Sequence, residues 1–236
     1  MFTVALIGPD GSGKTTVGNR LRSRLPVPTK YLYMGVNHEA SEHLLPTTRL
    51  VQALRQLVGR KKYAGGPREK HSDAPVKHKS MPRRIWKTAK SSVSLTNRLA
   101  EEWYRQLVAW YHLKRKRIVI FDRHFFPDYY AYDIVSDAPR SVTQKVHGYM
   151  LNRFYPRPDV IVFLDAPAEV LFDRKGEGTL ELLEERRNDY LQMKDLVKHF
   201  EIVDASRSID DVVDDVSERI TRYYEQQSQK SQRILV

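Results

Sequence analysis

Gly8-Pro9-Asp10-Gly11-Ser12-Gly13-Lys14-Thr15 fits the eight-position phosphate-binding pattern G-x-x-x-x-G-K-[ST]. Phe2–Ile7, just ahead of it, is a short apolar run with β-branched residues and reads as a buried strand. Thr15–Arg24 reads as a helix. A strand that feeds a glycine-rich turn into a helix N-terminus aims several backbone N–H groups and the positive helix end at one spot. That spot suits a di- or triphosphate. Lys14 is placed to reach the outer phosphates, and the Thr15 hydroxyl to hold Mg²⁺. Alone, such a match is as easily an ordinary glycine turn. The strand and helix around it favour the nucleotide site.

The chain of 236 residues is 41% hydrophobic, enough to bury a packed core. It has no cysteine, so it has no disulfide frame and no thiolate metal site. No apolar run approaches the roughly 18 residues of a membrane span. The N-terminal apolar run stops at Pro9 without a charged leader, so a secretory signal is not expected and the reading is a soluble, cytoplasmic protein. The net charge of +11 is concentrated: residues 59–90 hold eleven Lys/Arg and two Asp/Glu.

Lys30–Met34 reads as a second short strand and Thr47–Val58 as a helix, with Leu50, Ala53, Leu54 and Leu57 on one face. Gly59–Pro82, with Gly65-Gly66, three prolines and the positive run, reads as a mobile loop with too little apolar surface to fold on its own. From Pro82 to Lys116, Trp86, Ala89, Val93, Leu99, Trp103, Leu107 and Trp110 return at helical spacing, and the serines at 91, 92 and 94 suggest a break. Ile118–Asp122 reads as a third strand, followed by short helices over Pro127–Val135 and Val142–Leu151. Val160–Asp165 is a nearly all-apolar fourth strand, Ala166–Arg174 a helix, and a further helix runs to Lys198. His199–Asp204 is the fifth strand, and Ser208 with Asp211 three residues on caps the last helix. Asp210, Asp211, Asp214 and Asp215 early in that helix suit its dipole as a solvated face better than a metal cluster. The polar tail from Glu225 is expected to fray.

Strands alternating with helices predict an α/β protein: one doubly wound, five-stranded parallel sheet flanked by helices. Ligands of such sheets bind beyond the C-terminal strand ends. The ends at Gly8, Asp122, Asp165 and Asp204 are therefore expected to gather around the phosphate turn. Residues 1–224 form one domain with a basic insertion at about 35–90, followed by the tail 225–236.

Asp122-Arg123, closing a buried strand, is the second chemical signal. A carboxylate there can hold the Mg²⁺ shell, and an arginine beside it offers a planar fork of donors to a phosphate. With this pair, the chain resembles the thymidylate kinase family of P-loop nucleoside monophosphate kinases. The resemblance is carried by residues 8–16 (through Thr16), with an acid third in the loop, by Asp122-Arg123-His124, and by Ala131-Tyr132. Pro158-Asp159, Leu164-Asp165, Ala168-Glu169-Val170, Arg187 with Tyr190, and Asp204-Ala205-Ser206 extend it, so that it covers 1–34 and 98–224.

The resemblance implies the P-loop kinase fold and ATP with Mg²⁺. It implies that Gly8, Asp10, Gly11, Ser12, Gly13, Lys14, Thr15 and Thr16 cradle the nucleotide, with the adenine near Ala205 and Ser206. Thr15 and Asp122 would hold the metal. Arg123 would grip an acceptor phosphate, Asp10 would touch the acceptor's sugar, and Arg174, Arg187 and Lys175 would close over the phosphoryl group. The chain departs from the family pattern on the acceptor side. Tyr33-Met34-Gly35-Val36-Asn37 stands where the family has an Arg-Glu-Pro-Gly-like segment, and a long insertion follows it. The lid between Arg174 and Arg187 is short, and Asp133 replaces a glutamine near the base.

Three activities are consistent with the sequence. The first is an ATP-dependent kinase of a nucleoside monophosphate or similar phosphorylated acceptor. The second is a kinase of a hydroxyl on a sugar, glycan or other metabolite, with Asp10, Asp122, Asp128 or Asp133 as base. The third is a nucleotide-dependent binding module. The basic stretch is a solvated loop, a cover over the acceptor site, or a contact for nucleic acid, an anionic glycan or a membrane surface. Tyr63 and Trp86 are too few aromatics for a stacking platform. A homodimer is a further option. His124 is expected to pack rather than react.

Overall fold

The computed structural model describes residues 1–35, 45, 81–124 and 142–234, with side chains in the long helix from residue 95 onward. The helices expected at 47–58 and 127–135, residues 59–80 of the loop expected over Gly59–Pro82, and Asp128 and Asp133 lie outside the described residues, while Met81 and Pro82 open a helix instead of ending that loop.

Five strands form one parallel sheet in the order β2-β3-β1-β4-β5: β1 (Thr3–Ile7), β2 (Thr29–Tyr33), β3 (Ile118–Asp122), β4 (Val160–Asp165) and β5 (Phe200–Asp204). The three inner strands are almost wholly buried, which explains why they read as unbroken apolar runs. Alternation divides their side chains between two faces. Val4, Leu6, Ile118, Ile120, Val160, Val162 and Leu164 pack on one side with Val17 and Leu21 of α1 (Lys14–Leu21). Val212, Val216 and Ile220 of the last helix join them. Ala5, Ile7, Val119, Phe121, Ile161 and Phe163 pack on the other side with Ala109 of α2 (Met81–Lys114) and Leu151 of α3 (Val142–Phe154). Covering both faces is the doubly wound solution that the apolar strands require.

The α2–α3 joint is partly polar. Buried Glu102 accepts from the Tyr155 hydroxyl at 2.8 Å and lies 3.1 Å from His147 Nε2. Downstream of β4 come α4 (Ala168–Lys175), α5 (Leu180–Leu191) and a 3₁₀ turn at Gln192–Leu196, and α6 (Ile209–Ile234) follows β5.

Two expectations for the long helices change. The serines at 91, 92 and 94 do not break α2, because serine's small propensity deficit, a few tenths of a kcal/mol, is easily overridden by context. The stretch 225–234 does not fray but continues α6, after Tyr223 has anchored the helix against Phe2 and His199, each ring 4.7 Å away. The four early aspartates of α6 lie on a solvated face, as the sequence leads one to expect: Asp210 pairs with Arg20, Asp214 with Arg24 and Asp215 with Arg207 and Arg219, while Asp211 caps with Ser208. Among the described residues no helix is long and apolar enough to cross a membrane.

Candidate active site

The glycine-rich loop connects β1 to α1, and Gly8, Gly11 and Gly13 all have positive φ. At Gly11 (φ 90°) a Cβ would lie 2.6 Å from the Leu171 carbonyl oxygen, so the loop packs against α4 only without a side chain there. Ser12 N donates to the Pro9 carbonyl at 3.3 Å and closes the turn. Buried Lys14 folds its amine back over the loop, where Nζ donates to the carbonyls of Gly8 at 2.8 Å and Pro9 at 2.7 Å. Thr15 and Thr16 stand exposed at the start of α1.

Parallel pairing sets Leu6 of β1 opposite Asp122 of β3. The Thr15 hydroxyl donates to Asp122 Oδ2 at 2.6 Å, and the Tyr31 hydroxyl donates to the same oxygen. Burial, reinforced by the Asp122 carboxylate, raises the Tyr31 pKa and keeps it a proton donor. Asp122 is fully buried, and its Oδ1 has no partner among the described residues. A carboxylate with one orphaned oxygen beside a threonine hydroxyl is a hard-oxygen set that fits Mg²⁺. Among the described residues no cluster of three or more His, Asp or Glu offers an all-protein metal cage.

Arg123 follows at φ 64°, a left-handed conformation unusual for arginine, with its N–H bonded to the Leu6 carbonyl at 3.1 Å. Its guanidinium pairs with Asp10 at 2.5 Å. Arg186 of α5 reaches the other oxygen of Asp10 at 3.0 Å, and Lys175 at the end of α4 lies 3.7 Å away. Burial pushes the Asp10 carboxyl up, but Arg123, Lys14, Lys175 and Arg186 together outweigh it and hold the group below the usual carboxylate range.

Lys175 is thus beside the phosphate loop, whereas Arg174 and Arg187 have other partners. Arg174 donates to the carbonyls of Ala205 at 2.7 Å and Ser206 at 3.3 Å, at the exit of β5. Asp204 accepts from Ser206 N at 2.9 Å, and the Ser206 hydroxyl and N–H lower its pKa. Arg187 forks onto Asp165 at the exit of β4, with Nε–Oδ1 at 2.5 Å and Nη2–Oδ2 at 2.9 Å, and that hydrogen-bonded pair raises its pKa further. His124 is buried 5.0 Å from the Phe121 ring, and burial pushes its pKa down to about 3, as suits a packing residue.

On the acceptor side, buried Arg105 of α2 donates to the Gly35 carbonyl at 2.9 Å and lies 3.8 Å from Glu101. Glu101 in turn accepts from Leu45 N at 3.1 Å. Gly35, among the residues that departed from the pattern after β2, is therefore tied to a buried ion pair on α2. Sequence reasoning missed Tyr31, Arg105 and Arg186. A polar Arg105 between apolar Trp103 and Leu107 was a usable signal; the role of Arg186, next to Arg187, depends on tertiary placement.

A parallel sheet with a glycine-rich loop after β1, a lysine and threonine opening α1 and an aspartate closing β3 defines a P-loop nucleotide-binding protein. Within that class, a family model for thymidylate kinase matches residues 92–216, more than half of the chain, and the chain belongs to that family. It is similar to the thymidylate kinase of Thermosipho africanus, 26% identical over 124 residues, which are 48% of this chain and 59% of that protein. Probable thymidylate kinases of Pyrococcus horikoshii and Pyrococcus abyssi are 31% and 29% identical over 112 residues, 44% of this chain and 52% of each. The chain therefore spans only half to three-fifths of the length of these relatives. The family match takes in Asp122, Arg123, Lys175 and Arg186 but not the phosphate loop, which rests on its own pattern and geometry.

Proposed function

We propose that this chain is an ATP-dependent phosphotransferase that moves the γ-phosphoryl group of ATP to a nucleoside monophosphate or a similar phosphorylated acceptor. The observation that carries this reading is the convergence of Arg123, Arg186 and Lys175, from three separate stretches, on the phosphate-loop acid Asp10. Phosphoryl transfer needs alignment and preorganised positive charge more than covalent help, and this convergence provides both.

In this reading the loop N–H groups and Lys14 take the ATP phosphates, the amine exchanging loop carbonyls for phosphate oxygens. The adenine lies toward Ala205 and Ser206. Thr15 and Asp122 would hold Mg²⁺, which when bound supplies charge at the β- and γ-phosphates. Arg123 holds the acceptor phosphate. An acceptor oxygen bonds to the γ-phosphorus as the bond to the β–γ bridging oxygen breaks, and ADP leaves with that electron pair. Arg186 and Lys175 neutralise the charge in flight. A phosphate oxygen is already anionic and needs no base. A hydroxyl acceptor does need one, and Asp10 is a poor one because its cations hold it ionised.

The relatives' names point to thymidylate, whereas Tyr33-Met34-Gly35 departs from the family's sequence pattern on the acceptor side. The concentrated positive charge of residues 59–90 supports an anionic partner there. The decisive experiment is ADP release over a panel of nucleoside monophosphates, thymidylate included, and of sugars and glycans, with Lys14→Ala as control. Turnover on a phosphorylated acceptor, reduced at least about a hundredfold in Lys14→Ala, is expected. Turnover on hydroxyl acceptors alone would replace the acceptor half of the proposal. ATP binding without turnover on any acceptor would leave a binding module.

A further inference from the structure

Tyr31 lies outside the mechanism above, yet its hydroxyl ends on the carboxylate at the centre of it. Register pairs Tyr31 with Ile120, two residues before Asp122, so all three side chains fall on the α1 side of the sheet. The ring is held there by contact with α1. A Cβ added at Gly18 would lie 2.6 Å from Tyr31 Cε2, so only glycine leaves the ring its place. Gly18 is three residues after Thr15 and shares its helix face. The helix that presents the Thr15 hydroxyl therefore also seats the Tyr31 ring.

A carboxylate has about four lone-pair sites. In Asp122 both donors use one oxygen: Thr15 Oγ1 and the Tyr31 hydroxyl each donate to Oδ2, while Oδ1 has no partner among the described residues. A carboxylate held by one hydroxyl can still turn about its own bond. One held on the same oxygen by donors from two different elements is fixed in rotation. Resting on the kinase reading, we propose that Tyr31 is a positioning residue of the metal–nucleotide site, its hydroxyl locking Asp122 so that Oδ1 is the oxygen kept for the magnesium shell. A tyrosine that only filled space on β2 would have no need of this bond. Outer-shell donors of this kind typically change metal affinity by about ten- to a hundredfold when removed.

Tyr31→Phe keeps the ring against Gly18 and deletes only the donor. The full chain is titrated with Mn²⁺ in the presence of saturating ATP, with bound Mn²⁺ read by electron paramagnetic resonance. ATP alone is titrated in EDTA. Tyr31→Phe should weaken Mn²⁺ binding by about tenfold and leave metal-free ATP affinity within about twofold. A 4-aminophenylalanine at position 31, which restores a donor, should recover most of the loss. Should the Phe variant fail to fold, 3-fluorotyrosine at position 31 keeps the hydroxyl and reports by fluorine resonance. Its signal should shift with Mg²⁺ and ATP together and stay in place with ATP in EDTA. Unchanged Mn²⁺ affinity in Tyr31→Phe, or a fluorine signal indifferent to the metal, overturns the proposal while leaving the kinase reading intact. Failure of the unsubstituted chain to bind nucleotide in either form would sink the kinase reading and this proposal with it.

Discussion

Arg186 and Arg187 are adjacent on one helix, yet their side chains go to different places. Arg186 meets the phosphate-loop acid, and Arg187 forks onto Asp165 at the end of a core strand. On the proposed mechanism, Arg186→Ala should lower kcat by about a hundredfold, as loss of one preorganised donor does, with little change in melting temperature. Arg187→Ala should cost about 1 kcal/mol of stability, read by thermal melting, because it breaks a half-buried bidentate pair. The opposite pattern would exchange the two roles. His124 makes a prediction of a different kind. Its folded pKa of about 3 lies below the unfolded value near 6.5, so the unfolded chain binds the extra proton. The stabilising contribution is therefore complete above pH 6.5 and declines as pH falls toward 3, by up to about 1.4 kcal/mol per unit. Replacing His124 by phenylalanine should flatten that part of a denaturant-unfolding profile between about pH 6.5 and pH 4.5.

At the scale of elements, what could be read from the chain was what local chemistry alone decides. Ile118–Asp122 and Val160–Asp165 emerge with the expected bounds, because an apolar run ending in an acid leaves a parallel strand no other reading. The phosphate loop and Asp122-Arg123 were equally plain, being short patterns whose spacing is itself the mechanism. Helix α1 stops at Leu21 rather than Arg24, with i→i−3 bonds at Ser23 and Arg24 tightening its end. The long α6 could not be foreseen, since its anchor is the packing of Tyr223 on Phe2 and His199 from distant parts of the chain. Tyr31 and Arg186 stayed hidden for the same reason, as their partners lie 91 and 176 residues away. The hairpin that brings Arg186 to the loop has its own local support. Gly176 ends α4 at φ 65°, and the Thr179 hydroxyl caps α5 by accepting from Leu182 N at 3.3 Å. Thr179→Ala should destabilise the chain by about 1 kcal/mol in a denaturant titration, while Thr179→Ser stays near the parent.

The whole molecule carries a charge of +11, and most of the excess is written into residues 59–90. Its core, in contrast, is two apolar layers on either side of a parallel sheet, which salt affects little. These two properties separate in a single experiment. At low ionic strength the charge attracts anions over about 30 Å, and near 1 M salt over about 3 Å. On the proposed function, an anionic acceptor approaching this chain would be steered by the field, whereas ATP, once seated, would be held by backbone N–H groups and Lys14 at contact distance. Raising ionic strength from about 0.05 M to about 0.5 M should raise the acceptor KM severalfold and change ATP affinity by much less, with the melting temperature nearly constant. Deleting residues 59–80 should remove most of that salt dependence. If the two affinities instead fall together with salt, the field acts on the nucleotide and the acceptor alike, and the basic stretch is no special partner of the acceptor. If neither responds, the excess charge is only a solvated surface.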